Sequence, residues 1–287
     1  TDTMKKIFLL LLFTTSITFA QTNTEVFLYK LSNTNGDFKI TGGKNISNNP
    51  GYDSQPHFYS KKSIVFSSTR NKQTDIAKYN IETGKVRFLN DTPNGGEYSP
   101  QRIPKSKDVS AVRLDTDGLQ RLYRYNTKSG KSMELIANLK VAYPVWHQKN
   151  TVISVVIVGD NLDLMINELK SKKNTTIQKK VGRSLHVIPN SKYISYVSKT
   201  NEDWEIKMLN PKTGETRSII NSIGKKEDVC WLPDGTLLLA INNTLMKFNP
   251  STDKDWSVFH TFSAKKHKNI SRIIVNKYGT KLALVSE

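Results

Sequence analysis

The chain has 287 residues, 37% hydrophobic and 24% charged, with 43 Lys and Arg against 25 Asp and Glu and a formal charge of +18. Its 9% aromatic content argues against disorder, because disordered chains are poor in the aromatic and β-branched side chains that bury a core. A lone cysteine, Cys230, excludes a disulfide framework and a cysteine-based zinc or iron–sulfur centre.

At the N-terminus, Lys5 and Lys6 precede the unbroken apolar run from Ile7 to Phe13, and Thr18-Phe19-Ala20 precedes Gln21. Positive residues, a short apolar core and small side chains at the cleavage positions predict a signal peptide over 1–20, with 1–3 an upstream remnant before Met4. The apolar run is shorter than the roughly 20 residues needed to span a bilayer. The expectation is an exported protein, periplasmic or extracellular, with no transmembrane segment in the mature chain. Residues 21–287 are read as one domain.

That remainder repeats. Phe58, Ile103, Trp146, Val187, Trp231 and Val275 each precede a polar turn and a β-rich run, at intervals of 41–45 residues. A second series ends each following hairpin on Gly36, Gly84, Gly130, Asn174, Gly214 or Asp253, residues that accept positive φ. The unit from about 50 to 91 reads as four strands, near Gln55–Tyr59, Ser63–Ser67, Asp75–Asn80 and Lys85–Asn90. Four strands, called a to d, every 40–45 residues predict an all-β, six-bladed β-propeller of four-stranded blades. Residues 25–46 supply only a c–d hairpin and 271–286 only an a–b hairpin. The ring is therefore expected to close by pairing N-terminal c–d strands with C-terminal a–b strands.

The unit resembles the WD40-like repeat of TolB-type β-propellers. The resemblance rests on Ser54-Gln55-Pro56-His57-Phe58, Arg70, Asp75-Ile76 and Gly84, on Tyr98-Ser99-Pro100, on Pro189-Asn190-Ser191 and on Pro233-Asp234-Gly235. It covers essentially all of residues 25–287 and implies the fold, since the recurring residues build turns.

No nucleophile elbow, zinc-binding His-Glu-x-x-His, phosphate loop or Cys-x-x-Cys occurs. The expected function is a non-catalytic binding or scaffolding module, without a cofactor and monomeric, for a protein or an anionic envelope glycan. The alternative is a polysaccharide lyase or hydrolase with a metal in the channel. There His57, His147 and His186 lie on inner strands, an arrangement similar to that of oligogalacturonate lyases, and neutral imidazole suits a transition metal.

Lysine supplies 34 of the 43 cations. With Arg scarce, the charge spread round the ring and the protein exported, nucleic acid is not an expected partner. Loops joining strand d to the next strand a should rim one channel mouth. The candidate binding residues there are Tyr52, Asp53, Glu97, Tyr98, Tyr143, Arg183, Glu227 and Asp228, since aromatic and charged groups on a rigid scaffold suit recognition.

Overall fold

A computed structural model describes residues 23–34, 36–93 and 95–287; the signal peptide read over 1–20 lies outside them. The described chain is all β. It begins with the hairpin β1 (Glu25–Thr34) and β2 (Asp37–Asn45). Sheet I is β3 (Asp53–Ser60), β4 (Ser63–Arg70), β5 (Gln73–Asn80) and β6 (Val86–Phe88). Sheet II is β7 (Gly96–Arg102), β8 (Val109–Leu114), β9 (Gln120–Tyr125) and β10 (Ser132–Ile136). Sheet III is β11 (Val141–Gln148), β12 (Thr151–Val158), β13 (Asn161–Glu168) and β14 (Lys173–Gln178). Sheet IV is β15 (His186–Val187), β16 (Ile194–Ser198), β17 (Glu205–Leu209) and β18 (Thr216–Asn221). Sheet V is β19 (Val229–Trp231), β20 (Leu237–Ile241), β21 (Thr244–Phe248) and β22 (Ser257–Thr261). The last hairpin, β23 (Ile270–Val275) and β24 (Lys281–Ser286), completes sheet VI in the order β2-β1-β24-β23. All pairings within the sheets are antiparallel. Sheets I and II touch through one parallel bridge, Thr74 to Gly96.

Strand alternation makes these sheets a ring. Successive side chains of a strand point to opposite faces, and here each face finds a different neighbour. On β24, Leu282 and Leu284 pack toward sheet V, whereas Ala283 and Val285 pack toward sheet I. On β20, Leu238 and Ala240 face sheet VI and Leu237 and Leu239 face sheet IV. The remaining interfaces join I to II, II to III and III to IV. The apolar core therefore consists of layers between consecutive sheets, returning to its start. This is a β-propeller, closed by β1 pairing antiparallel with β24, from Glu25 opposite Ser286 to Lys30 opposite Lys281.

Polar contacts repeat with the sheets. Trp146 Nε1 on sheet III donates to Ser110 Oγ on sheet II at 2.8 Å, and Trp231 Nε1 on sheet V donates to Ser195 Oγ on sheet IV at 2.8 Å. Gly84, Gly130 and Gly214 adopt positive φ in hairpin turns where each N–H donates to the carbonyl of Asn80, Asn126 or Asn210. Sheet III departs from this series. Its turn is shorter, Lys172 takes the left-handed conformation, and Asn174 lies within β14, its Oδ1 accepting from Asn167. Gly43 serves close approach instead: a Cβ there would lie 2.5 Å from the Tyr29 ring.

His267 looks incidental in the sequence, in the loop before β23, but it is fully buried at the closure. Its Nε2 lies 2.5 Å from Tyr29 Oη on β1 and its Nδ1 2.6 Å from Ser286 Oγ on β24. The Phe27 ring meets it edge-on at 4.5 Å. Burial, then the nearby Lys266, pulls its pKa down to about 4, so the neutral ring ties three segments together.

Candidate functional site

A cavity of about 860 Å³ runs along the ring axis, lined by the inner strands from one mouth to the other. Its walls are largely apolar: Pro56, Pro100, Pro144, Val145, Leu185 and Ile273 among others. Two glutamines on these strands lock neighbouring sheets. Gln55 Oε1 accepts from the Ser99 N–H at 2.7 Å, and Gln101 Nε2 donates to the Pro144 carbonyl at 2.6 Å.

One mouth lies where the inner strands begin. Tyr52 and Tyr98 meet there edge-to-face at 6.0 Å. Burial raises the Tyr52 pKa; Arg272 opposes that rise, and Tyr143 and Tyr98 add to it. On the next sheets the rim becomes ionic. Arg183 pairs with Asp228 at 2.8 Å, Arg272 pairs with the same carboxylate at 3.0 Å, and Lys199 pairs with Glu227 at 3.0 Å. Glu227 also accepts from the Arg183 backbone N–H at 2.8 Å. The neighbouring Gly182 has no room for a Cβ, which would strike this carboxylate. The guanidinium of Arg272 stands 5.9 Å from the centre of the Tyr143 ring. Burial works to lower the Arg183 pKa, but Asp228 and Glu227 overcome it and hold the group charged. The mouth is thus aromatic on one side and a closed ion-pair network on the other.

Of the residues read as the rim, Tyr52, Tyr98, Tyr143, Arg183, Glu227 and Asp228 come together here. Asp53 and Glu97 do not. They belong to β3 and β7 rather than to loops, and strand alternation turns each away from its tyrosine neighbour into the packing between sheets. Both are fully buried. Burial raises Asp53 to about 6 despite hydrogen bonds from Ser68 and Asn49. Burial raises Glu97 to about 7 although Tyr125 Oη donates to it at 2.8 Å. Arg272, absent from the residues read as the rim, belongs to β23 rather than to a d–a loop. It lies 44 residues after Asp228, and that repeat spacing was the available signal.

The histidines separate. His57 and His186 both line the channel. Their depth in the wall pulls both to about 4, with His57 lowering His186 further, so both are neutral at pH 7. His147 lies apart, beside Gln148 at 3.5 Å. Among the described residues no three His, Cys, Asp or Glu side chains are grouped to hold a metal. Cys230 is buried, and that burial raises its thiol pKa far above neutrality, so it is not poised as a thiolate nucleophile.

The ring and its axial channel define the class as a β-propeller, and comparison with solved structures makes the likeness more particular. A structure assigned to TolB of Agrobacterium tumefaciens superposes with a TM-score of 0.72 at 9% identity, over 92% of this chain and 99% of that one. TolB from Acinetobacter baumannii gives 0.60 at 12% identity, over 92% of this chain; the chain spans 64% of that protein's length. Oligogalacturonate lyase from Vibrio parahaemolyticus gives 0.53 at 10% identity, over 93% and 98% of the two chains. The chain therefore has a TolB-like β-propeller fold. No protein-family model and no curated protein matches its sequence. Among the described residues no helix is long and apolar enough to cross a membrane.

Proposed function

We propose that the protein is an exported, non-catalytic binding and scaffolding module. It holds a protein or an envelope glycan at the mouth rimmed by Tyr52, Tyr98, Tyr143, Arg183, Glu227 and Asp228, completed by Arg272. The observation that carries this reading is the preorganised rim. Arg183 and Arg272 share Asp228, and Glu227 fastens Arg183 from behind. A site whose charged groups are already fixed loses less side-chain entropy on binding. Aromatic and Arg side chains over a pocket are the residue types that dominate recognition. Binding proceeds by shape and charge, with no covalent step. Export rests on the leader read in the sequence.

The test is capture of a partner from an envelope fraction by immobilised protein. Tyr143→Ala and Arg272→Ala are each expected to weaken capture about tenfold or more, as for central anchors. Unchanged capture by both variants would remove this mouth from the account. The neutral pair His57 and His186 in the channel favours a lyase or hydrolase as the second reading, which turnover of the bound ligand would establish.

A further inference from the structure

The two mouths of the channel differ in how their charges are balanced. At the mouth described above, Arg183 and Arg272 are neutralised by Asp228 and Glu227. At the opposite mouth, formed by the a–b turns, the channel is lined by Lys61, Arg102, Lys105 and Lys277. Among the described residues none of these four is in an ion pair, and the channel's only lining carboxylate, Asp228, is at the other end. Of the acidic groups on nearby turns, Glu82 is paired with Lys62 and Asp108 with Arg124; Asp234, on the sheet V turn, accepts from the Thr236 N–H and keeps its charge, one carboxylate against four lining cations.

The cationic surface continues outward along sheet I. Lys78 Nζ stands 3.5 Å from the centre of the Tyr59 ring and the Arg102 guanidinium 5.0 Å from it. Lys78 also shares a surface hollow of about 440 Å³ with Lys62, Lys85 and Arg87. Burial first, then repulsion from Arg87 and Arg102, brings the Lys78 ammonium down to about 8. Lys62 is paired with Glu82, but the remaining cations outnumber the carboxylates near them, and like charges in such excess repel one another and concentrate anions from solution.

Shape and backbone chemistry narrow the anion. The cations line a concave mouth and a hollow, which a chain can enter and a flat bilayer cannot follow. An extended peptide would bind by adding a strand to an exposed sheet edge through main-chain hydrogen bonds. Here the inner edges of three consecutive sheets carry Pro56, Pro100 and Pro144, which have no N–H to give. Two of them sit in register breaks, between Ser54 and His57 and between Tyr98 and Gln101. On those three sheets recognition falls to side chains. The half-exposed Tyr278 ring is flanked by Lys61 at 5.7 Å and Lys277 at 5.1 Å from its centre. This places two ammonium groups over one half-exposed aromatic ring, a combination that complements a sugar ring bearing a carboxylate.

We propose that the a–b turn mouth is an anion-binding site for a linear carboxylated saccharide. Its carboxylates would sit on Lys61, Arg102, Lys105 and Lys277, one sugar ring would lie against Tyr278, and the chain would run outward to Lys78 and Arg87. The inference rests on the binding-module reading but places this ligand at the mouth opposite the one proposed above.

The experiment is calorimetric titration of residues 21–287 with a purified alginate-derived oligouronate. Methyl-esterified oligouronate, polyglutamate and phosphatidylglycerol vesicles are titrated alongside. The free oligouronate is expected to bind best, with affinity falling as salt rises. The triple variant Lys61→Gln, Lys105→Gln, Lys277→Gln should lose about tenfold or more, the scale expected when several charged contacts are removed together. Tyr278→Ala should weaken binding severalfold without changing its salt dependence. Equal or tighter binding of polyglutamate, of vesicles or of the methyl ester would overturn the assignment, as would a triple variant that binds like the wild type. Arg272→Ala separates the two sites: it should spare oligouronate binding even where it abolishes partner capture, and loss of oligouronate binding in that variant would refute the second site.

Discussion

Trp231→Ala is expected to cost about 3–5 kcal/mol of stability, the range for removing a buried Trp or Phe from a core. The indole lies between sheets IV and V, 7% exposed, among Val197, Ile206, Val229, Leu237 and Leu239. Its Nε1 donates to Ser195 Oγ, which is fully buried. Truncation therefore opens a cavity and strips a buried hydroxyl of its donor at the same time. Against a usual total of about 5–15 kcal/mol, such a loss brings the ring close to unfolding. Trp231→Phe keeps most of the volume and should cost only about 1–3 kcal/mol, for the buried hydroxyl oxygen that loses its donor while still donating to the His186 carbonyl. Trp146, bonded to Ser110 across the II–III interface, should behave alike. Denaturant midpoints of the four variants measure this. A loss below about 1 kcal/mol in both alanine variants would contradict the packing described.

Glu97→Gln is expected to stabilise the protein at pH 8 by about 3 kcal/mol and to leave it unchanged at pH 4.5. The carboxyl keeps its proton in the fold until about pH 7, because burial disfavours its charge. The unfolded chain releases that proton near the ordinary glutamate value. Below that value both states are protonated and the group adds no pH dependence. Between there and pH 7 only the unfolded state ionises, so stability falls as pH rises. The amide of Gln keeps an acceptor for the Tyr125 hydroxyl and has no charge to bury. Asp53, raised to about 6, has the same sign. The three desolvated histidines have the opposite sign. His57, His186 and His267 are lowered to about 4, so their contribution is full above the ordinary value of about 6.5 and is lost as pH falls toward 4. In the wild type the carboxyls offset the histidines between pH 7 and 4.5. Glu97→Gln removes one offsetting group, so its stability should fall more steeply in acid. Parallel urea titrations at pH 8, 6 and 4.5 read this directly. Equal destabilisation of the variant at all three would contradict the assignment.

The ring was legible because a propeller repeats its local chemistry. The apolar anchors, the turn glycines and the split terminal hairpins each carry the register of one sheet. That Tyr52, Tyr98 and Tyr143 stand at one end of the ring was legible for the same reason, since they occupy corresponding strand starts; there Tyr98 and Tyr143 also pack against the cores between sheets. Asp53 and Glu97 were misplaced because the strands begin earlier than the turn signals suggest; one residue of register decides which face a side chain takes. His267 could not be read at all. Its partners, Tyr29 and Ser286, are separated from it by 238 and 19 residues, and no local pattern encodes a contact made only when the ring closes. The uncompensated cations of the a–b mouth were hidden for a similar reason. Lys61, Lys105 and Lys277 are scattered in sequence, and their common exposure on one mouth appears only in three dimensions.

The most direct test of the account is the mass of a ligand recovered from the protein. Untagged protein spanning residues 21–287 is incubated with an envelope fraction and washed, and the bound species is released and compared by mass spectrometry with the same species before binding. A binding module returns its ligand with unchanged mass. A shortened or unsaturated product that disappears in His57→Ala or His186→Ala would contradict the account and place catalysis in the channel.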